Sequence, residues 1–424
     1  MACLIKPPLG PSLGCVSFTT QERDHFIRKD AAILGAVESL KGRYILGLHH
    51  NWHDFDFVHD PLFDFSMAGD ADLIERSGRK FPRTPIDCCN FVPEAFFLPR
   101  LAEPFWDVIN VTREAYFKGH AEFLEAIRAI YDRGRRLRVL HLCPVQRPKP
   151  DENPIPEIRR LHEAMFSMEE RRSFTLMTMD WDHPRPLDLE TLSFFYRCAR
   201  VFVHTAPDER RCRIAAYAWA SQMPVVARDN VASILPAELQ KPPFYFGYDQ
   251  DEKLPDAILA AVDGGTAGGN WRPVLENFRS ANAAARLSDF LDTLAADRGK
   301  TMSPEPINPS HMDYRLGRHH LPDIVTSNNV TQTLTDFCAQ ISARSDEELA
   351  AISRLDYPEE ALQGTTAQSA ASAASPAPSR NSAAGQPQKR PSLLSRLRTW
   401  ARKGHAVPFT RYRVLLDVMR DPGP

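Results

Sequence analysis

At 424 residues, 43% hydrophobic and 25% charged, the chain has an ordinary globular composition and the length for two folded units with appendages. A formal net charge of -2 gives no global field for nucleic acid, so no nucleic-acid partner is expected, and no run of about 18 apolar residues provides a membrane span. The N-terminal stretch carries Glu22, Asp24 and Asp30 without a continuous apolar segment, so no secretory leader is expected and the chain reads as cytoplasmic. Its eight cysteines show no C-x-x-C spacing and are expected as buried thiols rather than zinc ligands or disulfides.

In chain order, an apolar strand at 44–48 runs into the polar stretch HHNWHDFDFVHD. A second strand at 108–111 is followed by a turn holding Arg113 and Lys118. The next helix is legible because Phe123, Leu124, Ile127, Ile130 and Tyr131 recur at three- and four-residue steps, with Gly134 as the stop. Strands at 137–142 and 174–179, a helix at 189–200, a strand at 201–204, an alanine-rich helix at 211–221 and a strand at 224–227 complete the readable part. Alternation of this kind predicts βαβ units around a parallel sheet, an α/β fold. Residues 363–391 are almost entirely Ala, Ser, Gln, Pro and Gly, and read as a disordered linker. Beyond it, SLLSRLRTWARK puts Leu393, Leu394, Leu397 and Trp400 on one face of a basic amphipathic helix.

In an open α/β sheet, ligands gather at the carboxyl ends of the strands, where helix N-termini offer unpaired N–H groups and partial positive charge. Arg113 and Lys118 fall at such a mouth. As a fork and a point charge they suit a diphosphate, or else they are solvated surface residues. The HHNWHDFDFVHD stretch, with His53, His59, Asp54, Asp56 and Asp60, lacks a helical i, i+4 pair or an alternating strand set, so no metal is expected there.

Two motifs extend the reading. TREAYFKG (112–119) and FYRCARVFVHTAPDERRCRIAAYAWASQMPVVA (195–227) occur in this order, with helices and strands of the right kind between them. Together they resemble the second domain of the retaining GT-B glycosyltransferases of the family 4 type, over roughly 105–300. The resemblance implies that Arg113 and Lys118 bind the donor's phosphates and stabilise the leaving nucleoside diphosphate without a metal. It implies that Glu209 contacts hydroxyls of the donor sugar. The family's second glutamate, a ribose ligand, is Tyr217 here, able to make one hydrogen bond but not the bidentate charged one. Thr112 replaces a glycine before the arginine, and Arg210 to Arg213 replace a glycine-rich run, with Arg211 and Arg213 as candidate additional phosphate contacts. The arginines equally fit a solvated face.

Before the arginine-lysine turn the family places a longer first domain than the 112 residues found here. RYILGLHHNW resembles its strand ending in histidine, placing His49 or His50 in the cleft. IDCCNFVPEAFFLP resembles the bridge into the second domain. The expected architecture is therefore α/β, GT-B-like, with two Rossmann-like lobes, the first shortened. Its divisions are 1–104, the abbreviated lobe; 105–300, the nucleotide-sugar domain; 301–362, an extension packing on the body; 363–391, the linker; and 392–424, the basic tail. Within the extension, Arg315, Arg318, His319 and His320 either close over an acceptor or pack a C-terminal helix that crosses back.

The expected function is metal-independent, retaining transfer of a sugar from a nucleotide-sugar donor to a glycan or lipid-linked acceptor, without a cofactor. A non-catalytic GT-B-like binding or scaffold module is the alternative. Another nucleotide-using Rossmann enzyme is a more distant third, because neither G-x-G-x-x-G nor G-x-x-x-x-G-K-[ST] occurs. Peripheral contact with the inner face of the membrane is expected through 392–403. The tail should bind anionic vesicles at low salt, each basic residue near the surface contributing about 1 kcal/mol. Vesicle sedimentation checks this: a chain ending at Pro391 should stay in the supernatant, and equal pelleting of both forms contradicts it.

Overall fold

Strands whose side chains are buried on alternate faces need cover on both sides, and the chain builds two sheets of this kind. A computed structural model describes residues 2–50, 59–67, 81–144, 153–178, 187–264, 269–309, 312, 330–354 and 407–408, apart from single positions 85, 87, 208 and 210. The readings made on His53, Asp54 and Asp56, on Arg315 to His320, and on the linker and basic helix lie outside the described residues.

The first sheet has the order β1-β2-β3-β4-β5: Cys3–Lys6, Gly14–Thr19, Tyr44–His49, Phe65–Met67 and Arg83–Thr84. β1 runs antiparallel to β2, and the remaining pairs are parallel. Helix α1, Ala31–Ser39, lies in the crossover from β2 to β3 and is capped by Asp30, whose carboxylate accepts from the backbone N–H of Ala32 and Ile33. Gly47 of β3 is required by packing, because a Cβ there would sit 2.6 Å from the Phe65 ring on the neighbouring strand.

The second sheet starts at β6, Trp106–Val111, and continues through β7, Val139–Cys143, β8, Phe174–Thr178, β9, Ala199–Val203, β10, Val225–Arg228, and β11, Tyr245–Tyr248. The spatial order is β11-β10-β9-β6-β7-β8, all parallel, with the pair Val407–Pro408 added beside β8. Counted from β6, that is the doubly wound order 3-2-1-4-5-6, which reverses direction between β6 and β9. Helices α2, His120–Asp132, and α5, Leu254–Gly264, cover one face. The other face is covered by α3, Leu189–Arg197, and α4, Arg213–Ala220.

The later part of the chain returns to the first sheet. Helix α6, Ser280–Ala296, buries Ala283, Leu287 and Leu291 against Ile45 and Phe65. On the opposite face, α7, Val330–Ala343, packs Leu334, Phe337 and Ile341 against α1 and Phe18, and Tyr44 donates its hydroxyl to the Ile341 carbonyl at 3.2 Å. The first lobe is thus closed by helices that follow the second.

The chain adopts the expected α/β plan of two sheet-based lobes, the first smaller. Several strands and helices shift by one or two residues from their expected bounds, and one helix shifts by three. The helix expected to reach 200 ends at Arg197, because Ala199 already pairs with Trp106 in β6 and Cys198 alone makes the transition. Sheet pairing there overrides a sequence that could continue the helix. Among the described residues, no helix is long and apolar enough to cross a membrane.

Leu287→Ala should destabilise the chain by about 2–5 kcal/mol through the cavity left between α6 and the first sheet. Leu287→Met, which conserves volume, should cost less than about 1.5 kcal/mol. Denaturant unfolding of both variants checks the contrast, and equal losses contradict the packing described.

Candidate functional site

The strand reversal between β6 and β9 leaves their following loops side by side at the carboxyl edge of the second sheet, where a crevice opens. Asn110, fully buried at the end of β6, donates from Nδ2 to the Val203 carbonyl at 2.8 Å and fixes the two strand ends together. Gly119 then takes φ +69°, and a Cβ on it would lie 2.4 Å from the Thr205 carbonyl oxygen. Only glycine meets both demands. Thr205 completes the contact, donating its hydroxyl toward the carbonyls of Gly119 at 2.7 Å and Lys118 at 3.2 Å.

These loops bring the two principal expected residues together. Lys118 Nζ lies 2.5 Å from Glu209 Oε2, with only 8% and 12% of the two side chains exposed. His204 Nε2, fully buried at the end of β9, approaches the same oxygen at 3.1 Å. Burial pushes the Glu209 carboxyl up, but the proximity of His204 and Lys118 outweighs it and holds the group at about 2. Arg113 stands at the same mouth with its guanidinium 5.5 Å from the Phe117 ring, and Lys118 Nζ lies 5.3 Å from that ring. Phe117 and its neighbour Tyr116 are exposed, so the charged floor has an aromatic rim.

The remaining expected residues gather elsewhere. His49 ends β3 and lies beside Cys88, in the short turn Cys88–Asn90. Arg213 opens α4 and donates from Nη2 to the Cys88 carbonyl at 3.2 Å. The Arg211 carbonyl accepts from the Cys89 thiol at 3.4 Å. The Cys89 hydrogen bond and the Arg213 charge hold the Cys88 thiol well below its ordinary range. These contacts seat the first lobe on the start of α4. His50 is buried next to His49. Tyr217 is 5% exposed and stacks on Phe96 with ring centroids 4.1 Å apart.

His204 and Thr205 carry no weight in the sequence reading, yet one holds Glu209 and the other knits the loops. The usable signal was a histidine at the last position of an apolar strand, the place where parallel sheets deliver functional side chains. Metal-ligating atoms of His204, Glu209 and Cys212 lie within 4.8 Å of one another. Lys118 is already paired with that carboxylate, so its charge opposes a cation there, and the arrangement is best described as an ion pair closed by histidine. His59 instead packs edge-on against Phe81, and Asp60 accepts from Arg28 Nε at 2.8 Å.

No protein-family model matches the chain, and no curated protein matches it. Several solved glycosyltransferase structures are similar in part. The α,α-trehalose-phosphate synthase of Burkholderia vietnamiensis is 16% identical, with 61% of this chain and 71% of that one covered at a TM-score of 0.41. The sucrose-phosphate synthase of Thermosynechococcus elongatus is 17% identical, covering 63% and 72% at 0.42. A pneumococcal O-GlcNAc transferase, solved with UDP and GlcNAc, is 12% identical and covers 61% and 53% at 0.41. Likenesses this distant assign neither a family nor an activity.

A carboxyl held at about 2 in the folded state against about 4.5 when free stabilises the fold above the higher value and ceases to do so as pH falls through the lower. The contribution is about 3 kcal/mol at neutral pH. Glu209→Gln should therefore be less stable than the parent at neutral pH, and the gap should narrow between about 4.5 and about 2. Urea unfolding across that range checks it; a pH-independent gap contradicts it.

Proposed function

We propose that this chain is a glycosyltransferase that takes a sugar from a nucleotide-sugar donor, with retention and without a metal, and passes it to a glycan or lipid-linked acceptor. The observation that supports the reading is the buried Lys118–Glu209 pair at the strand reversal, with Arg113 beside it. On cleavage of the donor, negative charge develops on the departing diphosphate, and two fixed cations in a partly dry crevice stabilise it in the role a divalent ion would otherwise serve. Diphosphate binding draws Lys118 toward the phosphates and releases Glu209 for hydroxyls of the sugar. His204 keeps that carboxylate anionic and oriented through the exchange. The motifs of 112–119 and 195–227 are what support the family 4 assignment and, with it, retention.

A non-catalytic binding module is the second reading. Tyr217 favours it, because at the position of the family's ribose-binding carboxylate it stacks inside the domain on Phe96.

Calorimetry with nucleoside diphosphates, in the absence of magnesium, should show binding that Arg113→Ala or Lys118→Ala weakens by about 1.5–3 kcal/mol, tenfold or more in affinity. Glu209→Ala frees Lys118, so diphosphate affinity should hold or rise while release of diphosphate from a panel of nucleotide sugars collapses. Parent-like binding in both cation variants contradicts the donor site. Donor binding by the parent with no diphosphate released across a broad acceptor panel selects the second reading.

A further inference from the structure

Beneath the same loop lies a cluster of donor atoms that takes no part in the proposed transfer. His120 directly follows Gly119 and opens α2, while His141 and Cys143, two residues apart in β7, share one face of that strand. All three side chains are buried. His120 Nδ1 lies 3.1 Å from His141 Nε2, and Cys143 Sγ lies 3.2 Å from His141 Nε2 and 3.8 Å from His120 Nδ1. An imidazole nitrogen carries either one proton or one lone pair. His141 Nε2 therefore makes one full hydrogen bond, to His120 or to Cys143, and the third group is reached only across the longer 3.8 Å contact between Cys143 and His120. A cation at the centre satisfies all three together. Tetrahedral zinc at its usual bond lengths holds nitrogen from nitrogen at about 3.3 Å and nitrogen from sulfur at about 3.6 Å, and each observed spacing falls within a few tenths of an ångström of these values.

We propose that His120, His141 and Cys143 form a buried site for a zinc-like d10 cation that ties the β6–α2 loop to β7. The donor set is right for that class of ion: imidazole and thiolate suit zinc far better than magnesium or calcium. Burial disfavours the charged form of both rings. Burial raises the Cys143 thiol, which must lose its proton when the ion binds. The backbone of Arg113 and Ala115 flanks the His120 ring. A water completes the tetrahedron. Lys118, Gly119 and His120 are consecutive, so an ion on His120 anchors the backbone that presents Lys118 to Glu209. This site is structural and separate from the diphosphate, and it does not depend on the transfer reading.

Full-length protein, prepared without a histidine tag or chelator, should contain about one zinc per chain by plasma mass spectrometry. Exchange for cobalt should produce a thiolate-to-cobalt charge-transfer band and the intense d–d bands of four-coordination. Cys143→Ala should lose the charge-transfer band, whereas Cys212→Ala, in the neighbouring donor cluster, should retain it. Parent protein that takes up neither metal, or a folded Cys143→Ala that keeps the band, overturns the proposal, as does its loss in Cys212→Ala alone. Should Cys143→Ala not fold, His120→Gln decides: a drop of at least tenfold in cobalt affinity is expected, and unchanged affinity overturns the site.

Discussion

The reversal of strand order between β6 and β9 is the constraint on which the rest of the site depends. Helices leaving the two strands go to different faces of the sheet, so their loops part and a crevice forms at the carboxyl edge. Among the described residues, the first lobe offers no such reversal. Its strands β2 to β5 advance in one direction, each new strand beside the last. A short first lobe is therefore compatible with this crevice, since the groups around it come from the loops after β6 and β9.

Within the crevice, the ion pair shows how charge is managed. Removing one partner of a buried pair typically destabilises by several kcal/mol, because the other charge is left without water or a counter-ion. Lys118 and Glu209 thus hold each other in place in the absence of ligand. His204 stands on the same Glu209 oxygen as a second neighbour at 3.1 Å. Lys118 and His204 thus meet at one carboxylate oxygen. The aromatic rim of Phe117 lies within cation–π distance of both Arg113 and Lys118.

Much of this was legible before any coordinates. The helix from His120 was readable from its apolar steps and Gly134, and β6, β9 and β10 from short, mostly apolar runs rich in Val. Arg113, Lys118 and Glu209 were singled out through paired motifs, although spacing alone does not show that Lys118 and Glu209, 91 residues apart, share a hydrogen bond. Less was visible where the determinant is long-range. Phe65–Met67 is only three residues, too short for a periodic signal, and exists as a strand because Gly47 makes room for Phe65. His120, His141 and Cys143 appear as unremarkable residues of a helix and a strand. Only the register of β7 against β6 and the position of α2 above them bring their donor atoms to one point.

The junction between the lobes follows the same logic of long-range closure. The chain leaves the second lobe at α6 and spends that helix, and α7 after it, covering both faces of the first sheet. Neither lobe is then an independent segment of chain, because the first owes its core to residues beyond 280. The turn at Cys88 adds a polar tie, with Arg213 on its carbonyl and His49 at its side, so the end of β3 is registered directly on the helix that follows the Glu209 loop. A displacement of the first lobe must consequently be felt at α4. Since Glu209 lies only four residues before the first residue of α4, the carboxylate that pairs with Lys118 is also the one best placed to sense how the two lobes meet.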